Sequence, residues 1–225
     1  MVNVNYIVAL YGGVRRSHPK GTPLLKFVKA HLEYLEAPSR HITHATFVFN
    51  KSDTSEEKTT IKYLRSLEFA LPILVIVRDN KGGSYGAWGE GVSKTHKKFS
   101  HSFLIEDDYI PSQKEFISYF LEKSKEGVSY VASLYKEKHA AISNGLLQNQ
   151  HIPQILEKHN AVFNIRDLSN LTYPHLCQNQ RTFLNYLPGK VVDITDIAHT
   201  TYFCATSGNI VYKDATLPLL IHPIV

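Results

Sequence analysis

Glu106, Asp107 and Asp108 stand in a row directly after the apolar run Ser102–Ile105. Three carboxylates packed together repel one another, and their charged state costs free energy unless a cation sits there. Hard oxygen ligands at this spacing suit Mg2+ or Mn2+, which in turn hold a diphosphate. A solvated acidic turn capping the next helix is the competing reading. A second polar segment, Arg78-Asp79-Asn80-Lys81-Gly82-Gly83, also follows an apolar run. There Arg78 and Lys81 can neutralise phosphate or carboxylate charge. Gly82 and Gly83 let the backbone approach a ligand closely, and Ser84 opens a helix whose N-terminus favours anions. An exposed glycine-rich turn is the alternative. Tyr85 and Trp88 on that helix suit either a stacked base or the core. Two more strand ends are polar: Tyr11-Gly12-Gly13 followed by Arg15-Arg16, and Asn50 with Asp53. The basic turn from Arg15 to Lys20 reads as a phosphate contact or as a solvated loop.

Alternating strands and helices must position these residues. Tyr6–Leu10, Ala45–Phe49, Ile73–Val77, Ser102–Ile105 and Ser129–Leu134 are short apolar runs of strand length. Between them lie helical patterns. Leu24, Phe27, Val28, His31, Leu32 and Leu35 recur at helical spacing after Pro23, and Pro38 stops them. Ser55-Glu56-Glu57 supplies a cap and an acidic first turn ahead of Ile61, Leu64 and Leu67. Helices are also expected over Ser84–His96 and over Gln113–Lys125, the latter with Phe116, Phe120 and Leu121 inward. Ile73–Val77 carries no charge, which predicts a parallel strand in the middle of the sheet with both faces covered. The repeating order predicts an α/β fold, a mostly parallel central sheet with helices on both faces. In such sheets ligands bind outside the carboxyl ends of the strands, where all the polar segments fall. The later part is less regular: helices are expected over Ile152–His159 and Arg181–Leu187, and strands over Lys190–Ile194, Tyr202–Thr206 and Leu217–Ile221. One domain over residues 1–225 is expected, its later part folding back as one wall of a cleft.

Composition excludes several classes. With 43% hydrophobic and 20% charged residues, the 225-residue chain is an ordinary globular mix rather than a disordered one. The net charge of +5 suits an anionic ligand or a membrane surface, but is too mild to argue for nucleic acid. No apolar run approaches the ~18 residues of a membrane span. Met1–Leu10 lacks the basic region and cleavage site of a signal peptide. Cys177 and Cys204 make neither a disulfide framework nor a zinc site. A cytoplasmic protein is therefore expected. The twelve histidines form no H-x-x-x-H or H-E-x-x-H pattern, which disfavours a zinc hydrolase. A Walker A sequence and a G-x-S-x-G elbow are both missing.

The ordered segments resemble the GT-A glycosyltransferases of the broad family-two kind. Phe47-Val48-Phe49-Asn50-Lys51-Ser52-Asp53 stands where that family has V-D-D-G-S-x-D. Arg78-Asp79-Asn80-Lys81-Gly82-Gly83-Ser84-Tyr85-Gly86-Ala87 is similar to its N-x-G-x-x-x-A-x-N loop. Phe103-Leu104-Ile105-Glu106-Asp107-Asp108 matches the strand ending in D-x-D. The likeness covers about residues 4–112. It implies a nucleotide-sugar donor, Mn2+ or Mg2+, and a glycan or other hydroxyl acceptor. Asn50, where the family has Asp, would sit near the base. Arg78, Asp79 and Asn80 would line the nucleotide pocket, with Tyr11 and Gly12 in the same donor set. Asp108 would be the principal metal ligand, and Glu106 with Asp107 would face the ribose or sugar. The resemblance implies inversion, with a base from the later half; Asp193 and Asp196 are the candidates, and His199 is the candidate late histidine for a metal or phosphate contact. Lys138–Gly145 is the expected acceptor loop. Residues 1–112 would thus form the donor half and 113–225 the acceptor half, with no transmembrane segment and with peripheral membrane contact left open.

Two other readings compete. Leu10-Tyr11-Gly12-Gly13-Val14-Arg15-Arg16, followed by Pro19-Lys20, echoes the glycine-rich start of sugar-1-phosphate nucleotidyltransferases, but Val14 stands where a further glycine is wanted. A non-catalytic GT-A domain that binds a nucleotide or glycan is the third.

Overall fold

The computed structural model describes residues 2–15, 18–37, 40–111, 114–134, 142–160, 162 and 187–194, with the short strands 201–203, 210–212 and 220–221. In chain order the elements are β1 (Val4–Tyr11), α1 (Leu24–Glu36), β2 (Ile42–Asn50), α2 (Ser55–Ser66), β3 (Ile73–Arg78) and α3 (Gly83–Thr95). They continue with β4 (His101–Glu106), β5 (Ile110–Pro111), α4 (Phe116–Lys123), β6 (Val128–Leu134), β7 (Ile142–Gln148), α5 (Ile152–His159) and β8 (Lys190–Asp193). Short strands β9 (Thr201–Phe203) and β10 (Ile210–Tyr212) pair with each other, and β11 (Leu220–Ile221) pairs with β5.

Seven strands form one sheet in the order β3-β2-β1-β4-β7-β6-β8. Side chains alternate across it, as strand geometry requires. Tyr6, Val8 and Leu10 face Leu24, Val28, Leu32 and Leu35 of α1, Leu64 of α2 and the Phe116/Phe120 pair of α4. Ile7 and Ala9 belong to the opposite face, with Ala87, Trp88 and Val92 of α3 and Ile152 and Ile155 of α5. Helices therefore cover both faces. All six residues of the expected α1 stripe, His31 included, are buried.

The chain leaves β1 in one direction through β2 and β3, then returns across the opposite face through α3 to place β4 on the other side of β1. β1 is parallel to both neighbours. Such a reversal of strand order opens a crevice outside the carboxyl ends, between β1 and β4.

The structure corrects several expectations. β3 is parallel, but it lies at the edge of the sheet, not in the middle. Both its faces carry contacts, with Ile73 and Val75 half-buried against one core and Leu74 and Ile76 against the other, while Val77 is exposed; the absence of charge reports packing on two faces and not rank in the sheet. β7 was not anticipated: it runs antiparallel between β4 and β6, so residues 142–145 of the expected acceptor loop are strand. The cap of α2 is Thr54, whose Oγ1 accepts the Glu57 N–H at 3.2 Å, and Ser55 is already helical. Helix α4 is shorter at both ends than expected. Residues 181–186, 204–206 and 217–219 of the later expected elements lie outside the described residues. Among the described residues no helix is long and apolar enough to cross a membrane.

Candidate functional site

Parallel register lines up the polar strand ends. Tyr11 of β1 pairs with Asn50 of β2, and Asn50 pairs with Arg78 of β3. On the other side Ala9 pairs with Glu106 of β4. The Asp107 N–H then donates to the Ala9 carbonyl at 3.1 Å, which carries the acidic run along β1 towards Tyr11. The apolar bodies of the four strands thus deliver their polar ends to one rim, where the strand order reverses between β1 and β4.

The three acids have different surroundings. Asp107 is fully buried. Its Oδ2 accepts the Tyr11 N–H at 3.2 Å and the Arg15 Nη2–H at 2.6 Å, and its Oδ1 accepts the Arg15 Nη1–H at 2.9 Å. Such two-pronged pairs are among the strongest polar contacts in proteins. Arg15 Nη1 also lies 3.8 Å from Asp108 Oδ2, and Nη2 donates to the Tyr11 carbonyl at 3.3 Å. Burial pushes the Asp107 carboxyl up while Arg15 pulls against it. Burial works against the Arg15 charge too, but Asp107 and Asp108 outweigh it and hold the guanidinium protonated. Glu106 is half-buried, its Oε1 accepting the Ser84 hydroxyl at 2.6 Å. Burial and the neighbouring Asp108 push its carboxyl up to about 7, against the pull of Ser84 and Arg15.

Behind the acids, His31 braces their backbone. Its Nε2 lies 3.0 Å from the Asp107 carbonyl and its Nδ1 lies 2.8 Å from the Tyr6 hydroxyl. A carbonyl only accepts, so Nε2 carries the proton and Nδ1 accepts from Tyr6. Burial lowers the imidazole to about 4, against the Asp107 carbonyl and the Asp108 charge. The ring is therefore neutral near pH 7. From β7, Asn144 Oδ1 accepts the Glu106 N–H at 2.9 Å. Its Nδ2 is buried and has no acceptor among the described residues.

The loop between β3 and α3 is fastened to the same rim. Arg78 Nη1 donates to Asn50 Oδ1, Arg78 Nη2 donates to the Lys81 carbonyl at 2.8 Å, and Asn50 Nδ2 donates to the Gly83 carbonyl at 3.0 Å. Gly86 makes this fit: a Cβ there would lie 2.0 Å from the Lys81 carbonyl oxygen and 2.6 Å from Arg78 Nη1. Asp79, Asn80 and Lys81 remain exposed.

No protein-family model matches the chain, and neither does any curated protein. Solved structures do. The mannosyltransferase PcManGT of Pyrobaculum calidifontis, in complex with GDP-Man and Mn2+, is 9% identical with a TM-score of 0.58, over 85% of this chain and 54% of that one. S. aureus TarS 1-349, in complex with UDP-GlcNAc, is 12% identical with a TM-score of 0.51, over 87% and 56%. A cytidylyltransferase from Leptospira borgpetersenii serovar Hardjo-bovis is 10% identical with a TM-score of 0.54, over 99% and 82%. The fold is GT-A. The chain spans about half the length of the two former proteins, and identities this low show the fold alone.

Within the GT-A fold, the structure brings Tyr11, Asn50, Arg78, Glu106, Asp107 and Asp108 to one rim, with Asp79 and Asn80 on the exposed loop beside it. Gly12 is buried next to Leu24, Ser52 and Thr54. Trp88 is a core residue, donating its Nε1–H to the Ile105 carbonyl at 3.1 Å, and Tyr85 packs edge-on against it at 5.2 Å. Asp193 closes β8, which runs parallel to β6 and so ends on the rim side; three strand spacings, about 14 Å, separate β8 from β4. Asp196, His199 and residues 138–141 lie outside the described residues. Among the described residues, no group of three His, Cys, Asp or Glu side chains is placed to hold a metal ion. Of the three acids, Glu106 is half-buried and the Asp108 side chain is 12% exposed, against 1% for Asp107; the carboxylates of Glu106 and Asp108 are hard ligands suited to Mg2+ or Mn2+, whereas both oxygens of Asp107 are taken. Sequence reasoning missed the pairing of Arg15, the bracing by His31 and the contact of Asn144. One signal was present: His31 is the single polar residue on an otherwise apolar helix stripe, and such a group needs partners.

Proposed function

We propose that this chain is a glycosyltransferase that moves a sugar from a nucleotide-diphosphate donor to a hydroxyl group of a glycan or other acceptor, with inversion and with Mn2+ or Mg2+. The observation that supports this is the convergence of the polar ends of β1, β2, β3 and β4 on one rim of a GT-A sheet. In this reading the Asn50–Arg78 pair and the exposed Asp79 and Asn80 frame the nucleotide beside Tyr11 and Gly12. Asp108 holds the cation, and Glu106 faces the donor next to it. Before the cation binds, Asp107 is tied to Arg15 and to the Tyr11 backbone. A cation bound there supplies neutralising charge for the leaving diphosphate. Asp193, on the same rim, takes the proton of the acceptor hydroxyl; Asp196 is the second candidate for that role, and His199 the candidate for a further metal or phosphate contact. Residues 1–112 serve the donor and 113–225 the acceptor, within one domain. The net charge of +5 suits an approach to anionic surfaces.

A thermal-shift screen of nucleoside diphosphates with and without Mn2+ tests this. At a hundredfold excess over Kd a ligand adds about 2.7 kcal/mol, which for a chain of this size raises the midpoint by roughly 5–10 °C. One diphosphate should stabilise, more so with Mn2+. Asp108→Ala should remove the metal-dependent part and leave the fold intact. No shift with any diphosphate, or a full metal response in Asp108→Ala, refutes the reading.

A second reading has its own support. The cytidylyltransferase neighbour is matched over 82% of its length, against 54% for the mannosyltransferase. Incubation with sugar-1-phosphates and nucleoside triphosphates separates the two: pyrophosphate release supports nucleotidyl transfer, and its absence supports glycosyl transfer.

A further inference from the structure

We propose that Arg15 is the resident counter-ion of the acidic strand end, occupying the cation's place between Asp107 and Asp108, so that a divalent cation enters only when Arg15 leaves. The inference rests on the reading that Asp108 holds such a cation. Glu106, Asp107 and Asp108 bring three carboxylates to one strand end, and Arg15 is the cation that the described ion pairs place among them. Its guanidinium meets Asp107 at 2.6 and 2.9 Å and Asp108 at 3.8 Å. It bridges the two carboxylates, where a small divalent cation would also gain most.

The two partners differ in their freedom to move. The Asp107 side chain is 1% exposed, at the start of the turn after β4, whereas the Arg15 side chain is 24% exposed and springs from the loop after β1. Arg15 has a route to solvent and Asp107 has none. Leaving Asp107 unpaired in a buried site is costly, so Arg15 stays until another cation replaces it. A diphosphate favours the exchange because it brings the cation and offers the released guanidinium a new anion to grip. Metal and nucleotide then bind together, each weak without the other. At rest Arg15 acts on the carboxylates alone, keeping them compensated and in place until the cation arrives.

Three variants with Mn2+ alone, read by thermal midpoint and by metal titration calorimetry, test this. The wild-type protein should bind Mn2+ alone weakly. Arg15→Met should melt earlier without metal, regain its midpoint in Mn2+, and bind Mn2+ at least about tenfold more tightly, because no cation must be displaced. Arg15→Met combined with Asp107→Asn removes both charges; it should be more stable than Arg15→Met in the absence of metal and should lose the Mn2+ response. Arg15→Lys keeps the charge without the two-pronged grip and should bind Mn2+ with intermediate strength, which covers the case where Arg15→Met does not fold. A purely structural ion pair would give destabilisation with no recovery in Mn2+, and equal Mn2+ affinity in wild type and Arg15→Lys; either result overturns the proposal. Failure of the underlying reading shows differently: Asp108→Ala would keep the wild-type response to Mn2+ plus diphosphate.

Discussion

His31 ties the stability of the fold to the acidic rim, and its effect can be isolated by pH. Burial lowers the ring to about 4 in the folded chain, against about 6.5 unfolded. The folded ring is therefore neutral over a range where the unfolded ring takes up a proton. Protons bound only by the unfolded state favour unfolding, so this contribution is whole above pH 6.5 and is lost as pH falls towards 4. The limit of the loss is about 3 kcal/mol, and at pH 5 the loss is about 2 kcal/mol relative to pH 7.5. Carboxylates with raised values, such as Glu106, act with the opposite sign: they bind protons in the folded state and lose stability as pH rises towards 7. Comparison with His31→Gln removes that background. The glutamine amide can still donate towards the Asp107 carbonyl and accept from Tyr6, but it does not titrate. Urea unfolding at pH 7.5, 6 and 5 should show the wild type losing about 2 kcal/mol more than His31→Gln between the extremes. Parallel pH profiles for the two proteins would refute the reasoning, because they would mean that the ring is charged when folded or is not buried as found.

Two other predictions concern the rim. Gly86→Ala puts a Cβ 2.0 Å from the Lys81 carbonyl oxygen, so the loop after β3 must shift; the cost should be about 1–3 kcal/mol in urea unfolding, with a weaker thermal response to nucleoside diphosphates. An unchanged diphosphate response would show that this loop does not frame the nucleotide. Asp193→Asn should lower kcat by about 100-fold or more while leaving the donor KM and the diphosphate-induced thermal shift unchanged in steady-state and melting assays. Wild-type kcat would remove Asp193 as the base.

Much of the fold was legible because its signals are local. The α1 stripe Leu24, Phe27, Val28, His31, Leu32, Leu35 is buried as its spacing predicts, and α5 spans the expected Ile152–His159. Strands that end in polar residues were visible for the same reason. Strand order was not, since it depends on crossovers and not on neighbouring residues: Ile73–Val77 reads as a central strand, yet helices α2 and α3 can cover an edge strand just as well. Strand β7 hid behind Ser143-Asn144-Gly145, which looks like a loop. Its non-local ladders to β4 and β6 make it a strand. Within it the Asn144 Oδ1 accepts the Glu106 N–H, and Gly145 leaves space for the Tyr130 ring, whose Cζ would lie 2.5 Å from a Cβ at that position.

The acidic triplet shows where local reading of chemistry stops. Its charge is a demand that sequence makes plain, but the supplier is set by topology. Arg15 and Asp107 are 92 residues apart, and they meet because α3 carries the chain across the sheet to lay β4 beside β1. A triplet at the end of a strand thus overstates the number of ligands it offers. Here one carboxylate of the three, Asp107, is fully enclosed and already matched by a guanidinium, while Glu106 and Asp108 differ in their contacts. Glu106 is held by Ser84 and Asn144, and Asp108 lies 3.8 Å from the same arginine. The count of acids therefore argues for strong local charge compensation, and the contacts decide which cation provides it: here it is Arg15, and on the exchange proposed above a divalent ion takes its place only together with a diphosphate.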